Sequence, residues 1–125
     1  MGLLDGLMGH ASEISIEKLQ AEFAAVLAPG EQLEKAFRVV RDMLVFTNKR
    51  LILVDKQGFT GSKAEYVSIP YKSITRFSKE SAGLLDLDAE LKIWITGQVE
   101  PISKEFKKDN NINMVYQLLS THILK

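Results

Sequence analysis

Lys49 and Arg50 stand together after Thr47-Asn48, and adjacent cations in a turn are what an anion contact needs. A turn also favours charge because it faces water, so an anion contact and a solvated tip both stay open. Lys72, Arg76 and Lys79 form a second basic series. Asp86, Asp88 and Glu90 alternate along one stretch, a spacing that could gather a hard cation such as calcium. Side chains along one strand face diverge, however, and Lys92 is next in the row. A solvated acidic face that discourages wrong strand pairing is the simpler reading, and no metal site is expected. His10 lies near the N-terminus, and His122 falls in the last turn of a helical pattern, where the helix dipole accounts for it. No Ser sits in a nucleophile-elbow pattern and no phosphate loop is present. With no cysteine there is no thiolate nucleophile, no disulfide and no Cys-ligated zinc. These residues predict a protein that is not an enzyme and carries no cofactor.

The bulk properties agree with a compact binding domain. A chain of 125 residues is one domain, large enough to build a core without staples. Lys plus Arg equals Asp plus Glu at 16 each, so the chain lacks the basic excess of a nucleic-acid binder. The N-terminal Met-Gly-Leu-Leu-Asp-Gly-Leu-Met is apolar but has no basic start and no cleavage site, so it does not read as a signal peptide. Gly2 suggests myristoylation, but that pattern wants Ser or Thr where Gly6 stands. No run is long enough to span a bilayer, and a cytoplasmic location is the expectation.

The elements that would position these residues follow from periodicity. Met43–Phe46 and Leu51–Val54 are unbroken apolar runs around Thr47-Asn48-Lys49, which predicts a β-hairpin covered on both faces. Before it, Ser12 is a candidate N-cap for a helix with Ile16, Leu19, Phe23, Val26 and Leu27 on one face, stopped by Ala28-Pro29-Gly30. That helix could cover a face of its own domain. Its acidic polar side argues against an anchor on anionic lipid. Strands are predicted over 32–41, the hairpin, 64–71, 73–81, 85–96 and from Gly97-Gln98 to about Phe106, seven in all. Pro101 places the last of them at an edge or a bulge. Leu85–Thr96 alternates cleanly, with Trp94 on the wet face, where a large aromatic marks a contact surface. Asp109-Asn110-Asn111 caps a closing helix with a stripe of Ile112, Val115, Tyr116, Leu119 and Ile123.

Strands followed by one amphipathic C-terminal helix is the element order of a pleckstrin-homology domain. The segments 42–55, 66–74 (Tyr-Val-Ser-Ile-Pro-Tyr-Lys-Ser-Ile), 77–83 and 87–95 (Leu-Asp-Ala-Glu-Leu-Lys-Ile-Trp-Ile) resemble the bacterial pleckstrin-homology-like family, once grouped as a domain of unknown function. The resemblance implies a mainly β fold: a seven-stranded barrel or sandwich capped by the C-terminal α-helix, over 31–125, with an N-terminal helical extension over 1–30. It also implies ring-forming homo-oligomers, often pentamers, joined through strand edges and N-terminal helices, with no defined ligand. The interface residues expected on that basis are Leu7, Met8, Ile16, Leu19, Phe23, Val45, Ile52, Val54 and Trp94. Expected partners are other copies of the chain, with room for another protein or peptide, and no nucleic acid. Lipid recognition in pleckstrin-homology domains uses a long basic loop between the first two strands. Here Arg38-Val39-Val40-Arg41-Asp42 runs directly into Met43, which argues against membrane lipid. The alternative is a peripheral adaptor that meets anionic lipid through Lys49, Arg50, Lys72, Arg76 and Lys79.

Overall fold

The computed structural model describes residues 13–39, 42–57, 63–80, 88–107 and 111–125. Leu7, Met8, His10, Asp86, the expected cap Ser12 and the expected capping pair Asp109-Asn110 lie outside the described residues. The chain is mainly β, with strands in two antiparallel sheets and a helix at the C-terminal end. It divides into two compact units, Glu13–Pro70 and Tyr71–Lys125.

The first unit holds a five-stranded meander: β1 (Glu13–Ile14), β2 (Leu33–Val39), β3 (Asp42–Thr47), β4 (Arg50–Gln57) and β5 (Lys63–Pro70), in that order. The predicted hairpin is β3–β4, with Met43 opposite Val54, Val45 opposite Ile52 and Phe46 opposite Leu51. Because paired residues share a face, Met43, Val45, Ile52 and Val54 form one apolar surface. Helix α1 (Ile16–Phe23) lies on that surface, burying Leu19 and Phe23 against those four residues and Ala36. Leu44, Phe46, Leu51 and Leu53 fill the opposite face and are also buried. An unbroken apolar run is therefore what a strand covered on both sides requires.

Three expectations need correction here. The described strands number eight rather than seven, because Glu13 and Ile14 are not helical but pair with Phe37 and Ala36 of β2. The helix begins after Ser15, not Ser12, and stops at Phe23, well short of Pro29. From there Val26 N–H and Leu27 N–H both return to the Phe23 carbonyl, and the chain turns early. The sheets are separate ladders rather than a closed barrel.

The second unit opens with a 3₁₀ turn at Tyr71–Ser73, followed by a three-stranded sheet of β6 (Ile74–Glu80), β7 (Asp88–Ile95) and β8 (Ile102–Lys107). Helix α2 (Asn111–Ile123) packs on this unit through Ile112, Val115 and Leu119, three residues of the predicted stripe. Tyr116 sets its ring edge against Phe77 at 5.1 Å, and His122 stacks on Tyr71 at 4.1 Å, fixing the helix's last turn. Pro101 precedes β8, an edge strand, where its missing N–H costs no ladder bond.

Candidate functional site

The hairpin tip is the most heavily bonded polar region among the described residues. Thr47 is buried, and its Oγ1 accepts the N–H groups of Lys49 and Arg50, each at 3.0 Å. Its proton goes to Glu31 Oε2 at 2.6 Å, a charged and closer acceptor than the Arg50 carbonyl at 3.1 Å. Arg50 meets the same carboxylate with both arms of its fork, Nε to Oε2 at 2.8 Å and Nη2 to Oε1 at 2.9 Å. Its remaining donors reach the Val26 carbonyl at 2.8 Å and Ser68 Oγ at 2.7 Å. Glu31 Oε1 also accepts from Ala28 N–H at 2.9 Å. Asn48 holds the adjoining backbone: its Oδ1 accepts from Gln32 N–H at 2.7 Å, and its Nδ2 donates to the Gly30 carbonyl at 3.3 Å. The Arg50 guanidinium, above all, holds the Glu31 carboxyl down at about 2, against the opposing effect of burial.

Arg50 therefore has a different role from the anion contact expected of it, since the carboxylate of Glu31 already fills its fork. Lys49 projects from the same tip and is exposed. Glu31 was not singled out by the sequence. Its only signal is position, an acid directly after Pro29-Gly30, where the chain must turn into β2.

The structure brings Ile16, Leu19, Phe23, Val45, Ile52 and Val54, all expected at an interface, into a single cluster within one chain. Val45, Ile52, Val54 and Phe23 are each 0% exposed, so α1 already covers the outer hairpin face in cis. The exposed surface of this unit lies elsewhere. β5 offers part of it. Among the described residues this strand pairs only with β4, and seven of its eight residues are exposed, Tyr66 and Val67 being the large apolar ones. Tyr66 donates its hydroxyl to Glu22 Oε2 at 2.6 Å and meets the Phe23 ring edge-on at 5.7 Å. The Glu22 hydrogen bond pushes the phenol up to about 12, with burial and the carboxylate charge adding to it.

Trp94 lies in the other unit, half-buried on β7, with the Arg76 guanidinium 4.1 Å above its ring. Arg76 and Trp94 are register partners, which places them side by side on one sheet face. Along that face Glu80, Glu90 and Glu105 line up across the three strands, and Lys92 reaches Glu90 at 3.8 Å. No group of three or more metal-ligating side chains forms among the described residues. Lys79 is committed to Asn113 Oδ1 at 2.6 Å and sits 5.7 Å from the Tyr116 ring. No described helix is long and apolar enough to cross a membrane.

Two antiparallel sheets followed in the chain by one C-terminal helix are the element order of the pleckstrin-homology class of β-domains. The chain belongs to the bacterial PH domain family, whose model matches residues 2–123. It is 58% identical over 121 residues to YjqA of Bacillus subtilis, described as uncharacterized, covering 96% of this chain and 97% of that protein. Among solved structures, a pleckstrin-homology domain from Shewanella amazonensis is 50% identical, with a TM-score of 0.83 over 99% of this chain and 100% of that one. A protein with a pleckstrin-homology domain from Shewanella loihica is 48% identical, with a TM-score of 0.81 over 90% and 96% of the two chains. The family resemblance read from the sequence is thereby established.

Proposed function

We propose that this chain is a non-enzymatic bacterial PH domain that self-associates and serves as a binding scaffold, using the free edge of β5. The observation that carries this reading is the eight-residue edge itself, with Tyr66 at 38% and Val67 at 36% exposure. An exposed edge of that length presents unpaired N–H and C=O groups to any matching strand. Proline closes only its last position, and Lys63 and Glu65 on one face offer opposite charges to an antiparallel copy. The adaptor reading for anionic lipid is weaker, because Arg50, Arg76 and Lys79 each have a partner within the chain.

Light scattering on the purified chain tests this, with Val67→Lys as the variant that places a charge on the edge. A closed multiple of the protomer mass that Val67→Lys reduces to monomer is the expected result. A monomeric wild-type chain that floats with anionic vesicles would replace the scaffold with the adaptor.

A further inference from the structure

Several polar contacts at the hairpin tip converge on the connection from α1 to β2. Arg50 binds the Val26 carbonyl, Glu31 the Ala28 N–H, and Asn48 the Gly30 carbonyl and Gln32 N–H. Asn48 N–H adds a bond of 3.1 Å to the Gln32 carbonyl. Within this connection Gly30 adopts φ +81°, so the turn is shaped to meet the tip. Helix α1 by contrast is only eight residues long, and a helix of that length does not hold itself together in water. Its Ser15 cap residue spends its hydroxyl on Glu17 at 2.7 Å rather than on the helix backbone. Beyond apolar packing, its side-chain tie to the sheet is the exposed bond from Tyr66 to Glu22. Beneath it lies a floor of Ala36, Met43, Val45, Ile52 and Val54, all apolar.

We propose that Glu31, Thr47, Asn48 and Arg50 form a latch that holds α1 on the hairpin, and that releasing the latch lets α1 lift while the sheet stays folded. Arg50 is the positioning residue at its centre, because it joins the end of the helical turn at Val26, the carboxylate of Glu31 and Ser68 of β5. Lifting α1 uncovers an apolar floor shaped for an amphipathic helix. The geometry stands whether or not the chain self-associates, so the latch is tested separately from assembly.

The test is amide hydrogen exchange on the full chain, comparing α1 with β3 and β4. Arg50→Met removes the fork, and Thr47→Val removes one hydroxyl while keeping its shape. The expected result is exchange of α1 amides about tenfold faster or more in Arg50→Met, and less in Thr47→Val, with β3 and β4 still exchanging only at the slower rate of global unfolding, well behind α1. Trypsin cleavage after Lys18 and binding of an apolar fluorescent dye rise in step. Arg50→Lys does not restore protection, because a point charge cannot replace the fork. Tyr66→Phe keeps the ring contact and leaves α1 close to the wild-type rate. The latch is overturned if α1 exchange is unaltered in Arg50→Met and Thr47→Val. It is equally overturned if β3 and β4 open together with α1, since the tip would then support the whole unit.

Discussion

Glu31 holds a negative charge with its side chain only 1% exposed, and the Arg50 fork is what permits it. Because the folded state keeps this carboxyl near 2 rather than 4.5, the pairing stabilises the fold above about pH 4.5 and is lost as pH falls toward 2. At about 1.4 kcal/mol for each pH unit, the contribution at neutral pH is of order 3 kcal/mol. Urea unfolding measured across that acid range should show the loss in the wild-type chain and a much shallower slope in Glu31→Gln. At neutral pH, Glu31→Gln should cost about 3 kcal/mol, because it leaves the partly covered guanidinium without its counter-charge. Replacing both partners with apolar residues should cost less than the two single changes added together, and a double-mutant cycle reads that coupling directly.

At the scale of elements, α1 is held by packing and β5 by one ladder, so their responses differ. Phe23→Ala empties a fully buried site and should cost about 3–5 kcal/mol in chemical unfolding. Tyr66 ties the two elements together, and its raised pKa means the neutral phenol is the form that donates to Glu22. That tie is intact below pH 10 and is lost as pH rises toward 12. An absorbance titration should show a late tyrosine step that vanishes in Tyr66→Phe. Most elements were legible in the sequence, because strand alternation at 88–95 and the hairpin's two apolar runs leave little freedom of register. The two-residue β1 was not. Glu13-Ile14 has helical neighbours in pattern, and only pairing with Ala36 and Phe37 makes it a strand. The early end of α1 was hidden for a related reason. Ala24 and Ala25 favour helix, yet the turn that follows Phe23 is held by Arg50, distant in sequence, through the Val26 carbonyl. Glu31 was illegible for the same cause, since nothing local marks an acid as the partner of a residue in the next hairpin.

For the whole molecule, formal charge is balanced at zero, so long-range repulsion does little to keep copies apart. In the proposed scaffold, what governs association is local: the backbone edge of β5 and the apolar side chains beside it. A backbone edge carries no residue code, so the strand edges expected to join copies could not be assigned to β5 from the sequence, whereas the side chains expected beside them, on α1 and the hairpin, pack on one another within the chain. Edge pairing and ion pairing also respond to salt in opposite ways. Hydrogen-bonded strands flanked by Tyr66 and Val67 should keep their assembled mass from low to high ionic strength, whereas an assembly held by surface charge should fall apart as screening sets in. Leu7 and Met8 can be separated from this contribution by deleting residues 1–12, which removes none of the described residues of the α1 cluster. If β5 carries the interface, that deletion leaves the mass unaltered and Val67→Lys abolishes assembly at every salt concentration. If the deletion alone produces monomers, the N-terminal residues make the contact and β5 does not.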